Sequence, residues 1–167
     1  METSGGVRSS ADADYVRSVE TRDVTDAIGS GRQTTMTCSD KRKQLDLVVK
    51  ATVYENPCAV AMEAVLRNVS RADLIVTGAE PVRAVGEEKG ALLWPGVTKA
   101  LVNGKMYYDP GKVFGFPEGA EATGWWNACF YRGDREEGLV VGYLGNPVAL
   151  GEIHANRAAR AKGKAVD

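Results

Sequence analysis

The sequence predicts a mainly β fold of the α+β class: a small antiparallel barrel or sandwich with one covering helix and extended termini. Three observations carry that prediction. From Leu92 to Gly145 the chain alternates strand-forming runs with tight-turn residues. Asn103-Gly104 lies between two such runs, Val97 to Val102 and Lys105 to Tyr108, and Asn-Gly favours the two positive φ angles of a type I′ hairpin turn. Strand-like runs recur roughly every ten residues, the spacing of a sandwich or barrel.

Taken in order, the elements begin with a polar N-terminal arm, residues 1–43, rich in Ser, Thr, Gly, Asp and Arg and poor in large apolar side chains. By itself it buries too little surface to fold. Ala13, Val16, Val19, Val24, Ala27 and Ile28 approximate helical spacing, which places a weak helix at Asp12 to Ile28. The β-rich core domain is residues 44–150. It opens with the β-branched strand Leu45 to Tyr54, ended by Glu55-Asn56-Pro57. Val60, Ala61, Val65 and Leu66 then form a helical stripe, so Ala59 to Asn68 is the predicted covering helix, with Pro57 near its start. Short strands follow at Ala72 to Thr77, Val82 to Val85, Ala91 to Trp94, Lys112 to Phe116, Trp125 to Tyr131 and Gly138 to Leu144, separated by Gly- and Pro-containing turns. Residues 151–167 read as a solvated basic tail carrying Arg157, Arg160, Lys162 and Lys164.

The totals bound the function classes. A chain of 167 residues with 44% hydrophobic and 26% charged residues suits one folded core with appendages. A formal net charge of -1 supplies no bulk attraction to nucleic acid or to an anionic membrane. Met1 to Gly31 lacks the apolar segment of a secretory signal, so the expected place of synthesis is cytosol-like. Cys38, Cys58 and Cys129 have neither zinc-knuckle nor redox spacing and read as reduced thiols, with Cys58 and Cys129 as buried small hydrophobes.

No stretch assembles a catalytic constellation. His154, the lone histidine, falls in the polar tail, where a metal site would need long-range convergence of the cysteines. Asp109, beside Tyr107 and Tyr108, belongs to an Asp-Pro-Gly turn, and Glu87-Glu88 and Glu136-Glu137 lie in Gly-bounded turns. Gly29-Ser30-Gly31-Arg32-Gln33-Thr34-Thr35 lacks the lysine of a phosphate loop. The aromatics say more. Neighbours in a strand point to opposite faces, so one ring of Trp125 and Trp126, and one of Tyr107 and Tyr108, looks outward unless the strand bulges. An outward ring is capped within the chain or contacts another protein; flanking basic residues for stacking single-stranded nucleic acid are missing. The candidate protein contacts are Tyr107, Trp125, Trp126, Arg132, Arg157 and Arg160, with no cofactor or metal.

Gly104-Lys105-Met106-Tyr107-Tyr108-Asp109, then Gly111-Lys112-Val113, Thr123-Gly124 and Gly138-Leu139-Val140-Val141-Gly142-Tyr143-Leu144-Gly145-Asn146, resembles the end of the capsid cement, or decoration, proteins of tailed bacteriophages. The likeness covers about a third of the chain. It implies a β-rich, non-enzymatic subunit, made in the host cytoplasm, that binds the major capsid protein on the outer surface of the virion as a small homo-oligomer, a trimer. The polar arm and the Ala59 to Asn68 segment are additions to that pattern. Two other classes stay open: a small adaptor or inhibitor of a host protein, and an enzyme using carboxylates or a metal.

Overall fold

A computed structural model of the chain describes residues 2–4, 6–82, 96–104, 110–144 and 151–157. The chain divides into two compact units, Met1–Arg83 and Ala84–Asp167. Both are built from antiparallel strands, and no helix occurs among the described residues.

In the first unit, β1 (Glu2–Thr3), β2 (Gly6–Val7) and β7 (Val76–Gly78) make a small sheet in the order β2-β1-β7. The larger sheet is a sequential meander of β3 (Tyr15–Thr25), β4 (Ser30–Asp40), β5 (Leu45–Tyr54) and β6 (Ala59–Asn68). Its strands run 10 or 11 residues, roughly 35 Å at about 3.4 Å per residue. The hairpins have chemical causes. At the β3–β4 turn the Asp26 carboxylate accepts the Ile28 and Gly29 N–H groups at 2.9 and 3.3 Å. Its other oxygen receives the Tyr54 hydroxyl at 2.6 Å, tying that turn to the end of β5. At the β4–β5 turn, buried Asp40 accepts the N–H groups of Arg42, Gln44 and Leu45 at 2.9, 3.2 and 3.4 Å. Gly31 is needed where it stands, because a Cβ there would lie 2.6 Å from the Val53 carbonyl oxygen.

Two sequence expectations are corrected here. The covering helix at Ala59 to Asn68 is β6, paired with β5 along its whole length from Tyr54↔Ala59 to Leu45↔Asn68. Ala, Met, Glu and Leu favour helix intrinsically, but Val60, Met62, Ala64 and Leu66 also recur at period two, and a complete ladder beside β5 outweighs propensity. The helix at Asp12 to Ile28 is likewise mostly strand, β3, whose side chains alternate between two faces. The arm read at residues 1–43 therefore contributes two long strands to this sheet.

One end of the sheet is packed. Tyr15, Cys38, Leu45 and Leu47 are buried together, with Met36, Leu66 and Leu74 against them. Leu74, from the connection after β6, helps to cover that end.

The second unit contains β8 (Lys99–Val102), β9 (Lys112–Gly115), β10 (Glu121–Trp125), β11 (Asn127–Tyr131), β12 (Gly138–Gly142) and β13 (Glu152–Asn156). One sheet has the order β12-β11-β8-β9 and the other pairs β10 with β13. The buried cluster draws Ala100, Ala128 and Phe130 from the first sheet and Ala122 from the second, with Val97 and Phe116 between elements and Ile153 and Ala155 packed against it. Alanines let the layers approach while Phe116 and Phe130, 5.6 Å apart at their centroids, fill the space between. Burying each ring contributes about 1.5–3 kcal/mol.

The details differ from the expected hairpins. β8 pairs with β9 on one edge and β11 on the other, so Lys112–Gly115 is a partner of Lys99–Val102, and the expected partner Lys105 to Tyr108 lies outside the described residues. The predicted strand Trp125 to Tyr131 is broken at Trp126, whose φ of 67° divides β10 from β11. The predicted basic tail supplies β13 from its first residues. Strands expected over residues 83–85, 91–94 and 105–108 lie outside the described residues, as do Glu87, Glu88 and Asp109.

Candidate interaction surface

Register converts the first unit's meander into a grid, because residues opposite one another in an antiparallel pair share a face. On one face the rows are Arg17–Cys38–Leu47–Leu66, then Val19–Met36–Val49–Ala64, then Thr21–Thr34–Ala51–Met62, then Asp23–Arg32–Val53–Val60. The first row belongs to the packed end. Past Met36, which packs against that end, apolar side chains of this face meet solvent: Val19 is 65% exposed, Met62 46%, Val53 53% and Val60 63%. Apolar character is concentrated on β5 and β6, while β3 and β4 contribute Thr21, Thr34, Asp23 and Arg32 to the flank. Thr21 and Thr34 join their hydroxyls at 3.1 Å.

The opposite face is polar along its middle. Lys50 and Glu63 form an ion pair at 2.8 Å, the Gln33 amide donates to Thr52 Oγ1 at 3.0 Å, and Arg22 donates to Gln33 Oε1 at 3.2 Å. The sheet is thus two-sided, with side-chain chemistry already satisfied on one side and apolar groups facing solvent on the other.

None of the protein-family models, curated proteins or solved structures compared matches this chain.

The residues singled out from sequence lie in the second unit, and the structure gives several of them internal roles. Trp125 and Trp126 are both half-buried at the corner between β10 and β11. The backbone holds that corner: Trp125 N–H donates to Asn103 O at 3.1 Å, Trp126 N–H to Gly151 O at 2.9 Å, and Trp126 O accepts from Tyr143 N–H at 2.9 Å. Arg132 closes the β11–β12 hairpin by donating to both Asp134 carboxylate oxygens at 3.3 Å, with Glu137 at 3.9 Å. The paired hydrogen bonds hold Asp134 below its ordinary carboxylate range. Arg157 donates to the Phe116 carbonyl at 2.6 Å. Tyr107 and Arg160 lie outside the described residues.

Sequence reasoning missed one polar chain. Period-two alternation in Glu152–Asn156 turns Ile153 and Ala155 toward the cluster and places His154 opposite Thr123. Thr123 Oγ1 lies 3.1 Å from His154 Nδ1, and His154 Nε2 lies 2.8 Å from Glu152 Oε2. The order resembles a nucleophile, a base and its orienting carboxylate. Its setting does not, because the His154 side chain is 66% exposed and Glu152 39%, so bulk water screens every member.

The thiols are free, but their burial differs from expectation. Cys38 is the buried one, Cys58 is exposed in the β5–β6 turn, and Cys129 is intermediate. Burial pushes the Cys38 thiol up, away from the reactive thiolate. Among the described residues no three His, Cys, Asp or Glu side chains cluster as a metal site, and no helix is long and apolar enough to cross a membrane.

Proposed function

We propose that this chain is a non-enzymatic interaction subunit, and that it serves as a cement or decoration protein holding the major capsid protein of a tailed-phage shell. The uncovered apolar rows on β5 and β6 carry the reading. A sheet face of this kind loses apolar surface to water only when a second layer covers it. Its rim of Thr21, Thr34, Asp23 and Arg32 gives the polar border common to protein interfaces. The strand-and-turn resemblance supplies the capsid as the setting, and repeated attachment on a symmetric shell makes modest contacts sufficient. In this reading the subunit works without a cofactor or nucleic acid and resides on the outer virion surface as a homo-oligomer.

The test is co-sedimentation of purified protein with empty phage shells, using wild type beside Val53→Lys and Val60→Lys. Both sites are more than half exposed, so the substitutions spare the fold while placing a charge in the contact. Wild type pellets with shells and the variants bind at least about tenfold more weakly, the equivalent of about 1.4 kcal/mol. Failure of the wild type to bind shells, with retention by a host-cell protein lost in the same variants, would move the assignment to the adaptor class.

A further inference from the structure

The two margins of the first unit's large sheet are chemically unlike. β3 carries Arg17, Glu20, Arg22 and Asp23 along its length, the charged guard that discourages strand addition. β6 reads Ala-Val-Ala-Met-Glu-Ala-Val-Leu-Arg-Asn, and its Glu63 is already paired with Lys50. Among the described residues the backbone ladder of β6 is with β5 alone. The apolar half of the exposed face also ends at β6, as though cut there.

The backbone states which groups on that margin are open. Val69 N–H donates to Gln44 O at 3.1 Å, so residue 69 points toward β5. Antiparallel alternation then turns Arg67, Val65, Glu63, Ala61 and Ala59 inward. Val60, Met62, Ala64, Leu66 and Asn68 present their N–H and C=O groups outward.

We infer that β6 pairs antiparallel with β6 of a second copy across a two-fold axis at Ala64, joining two meanders into one eight-stranded sheet. Three considerations select this register. Only outward-pointing residues can exchange hydrogen bonds, and centring on Ala64 matches Met62 with Leu66 and Val60 with Asn68 of the other copy, all outward. Centring on Glu63 sets two carboxylates directly opposite, which is destabilising. Centring on Ala64 faces Glu63 with Val65, with Arg67 and Glu63 of the other copy on its two diagonals, and pairs β6 from Val60 to Asn68, whereas centring on Val65 sets Glu63 opposite Arg67 but shortens the ladder to Met62 to Asn68. The same operation fuses the two apolar β5–β6 halves into one central patch, with the polar β3 and β4 strands outside. This symmetry is two-fold, where the phage resemblance implies three-fold. The inference deepens the homo-oligomer in the proposed function, but its test uses no shell, so each can fail alone.

Sedimentation velocity over a concentration series of the full chain decides it. Wild type doubles in mass as concentration rises through the micromolar range. Ala64→Pro removes an outward N–H and leaves the β5 ladder intact, an exchange that edge strands tolerate. It weakens association at least about tenfold. Ala64→Lys, which puts two ammonium groups at the axis, does the same and recovers part of the loss in high salt; it decides the matter if the proline variant misfolds by circular dichroism. A wild type that stays monomeric through the series overturns the inference, and so does a dimer indifferent to a folded Ala64 variant.

Discussion

Asp40 shows how much of the first unit depends on single side chains. Burial opposes its charge, but the N–H groups of Arg42, Gln44 and Leu45, helped by Arg8, outweigh burial and hold its carboxyl below the ordinary 3.8. A folded value below the unfolded one stabilises the fold above the unfolded value, and that stability is lost as pH falls through the folded one. Asp40→Ala leaves the turn's N–H groups without an acceptor and lowers stability by about 1–3 kcal/mol at neutral pH. Urea unfolding measures this, and the gap between wild type and variant narrows as pH falls below about 4. Thiol chemistry gives a second check at this scale. Cys58 reacts first with a thiol reagent, Cys129 more slowly, and Cys38 only on unfolding, readable as three phases in a labelling time course. Turn residues were legible in the sequence as Asp, Asn, Gly and Pro. Which cysteine is buried was not, because Cys58 follows Pro57 in a turn whose exposure depends on the pairing of its flanking strands.

β6 is where composition and context disagree. Its alanines, Met62, Glu63 and Leu66 suit a helix and its apolar residues satisfy both periods, so the local signal is ambiguous between period two and period 3.6. The ladder with β5 decides for strand. Val65→Pro therefore removes an inward donor and unfolds the sheet at markedly lower denaturant than Ala64→Pro, although the two prolines are adjacent. A helix at this segment would lose similar stability from either. By contrast, β5 was fully legible, since Leu45 to Tyr54 is an uninterrupted strand-forming run bounded by turns. The Trp125 to Tyr131 run was half legible: adjacent tryptophans signal a conflict between faces, and the chain resolves it with a positive φ at Trp126 that separates β10 from β11.

For the whole molecule, the β class was readable from turn spacing, whereas the sequential meander of β3 to β6 and the division into two units were not. Residues 1–43 are polar because β3 and β4 carry much of their side-chain chemistry on solvated faces, and polarity of that kind imitates a free arm. The candidate surface was hidden for a related reason. Val53, Val60 and Met62 come side by side only through the β5–β6 register, while Trp125 and Trp126, which drew attention, sit half-buried at a corner of the second unit. Arg132 and Arg157, chosen for their charge, brace turns and a strand end. The central claim is that the uncovered rows on β5 and β6 are a protein-binding face. Its most direct test is the shell co-sedimentation isotherm of wild type against Val60→Lys: the account predicts saturable binding that the lysine weakens at least about tenfold, and saturable binding left unchanged by the lysine would contradict it.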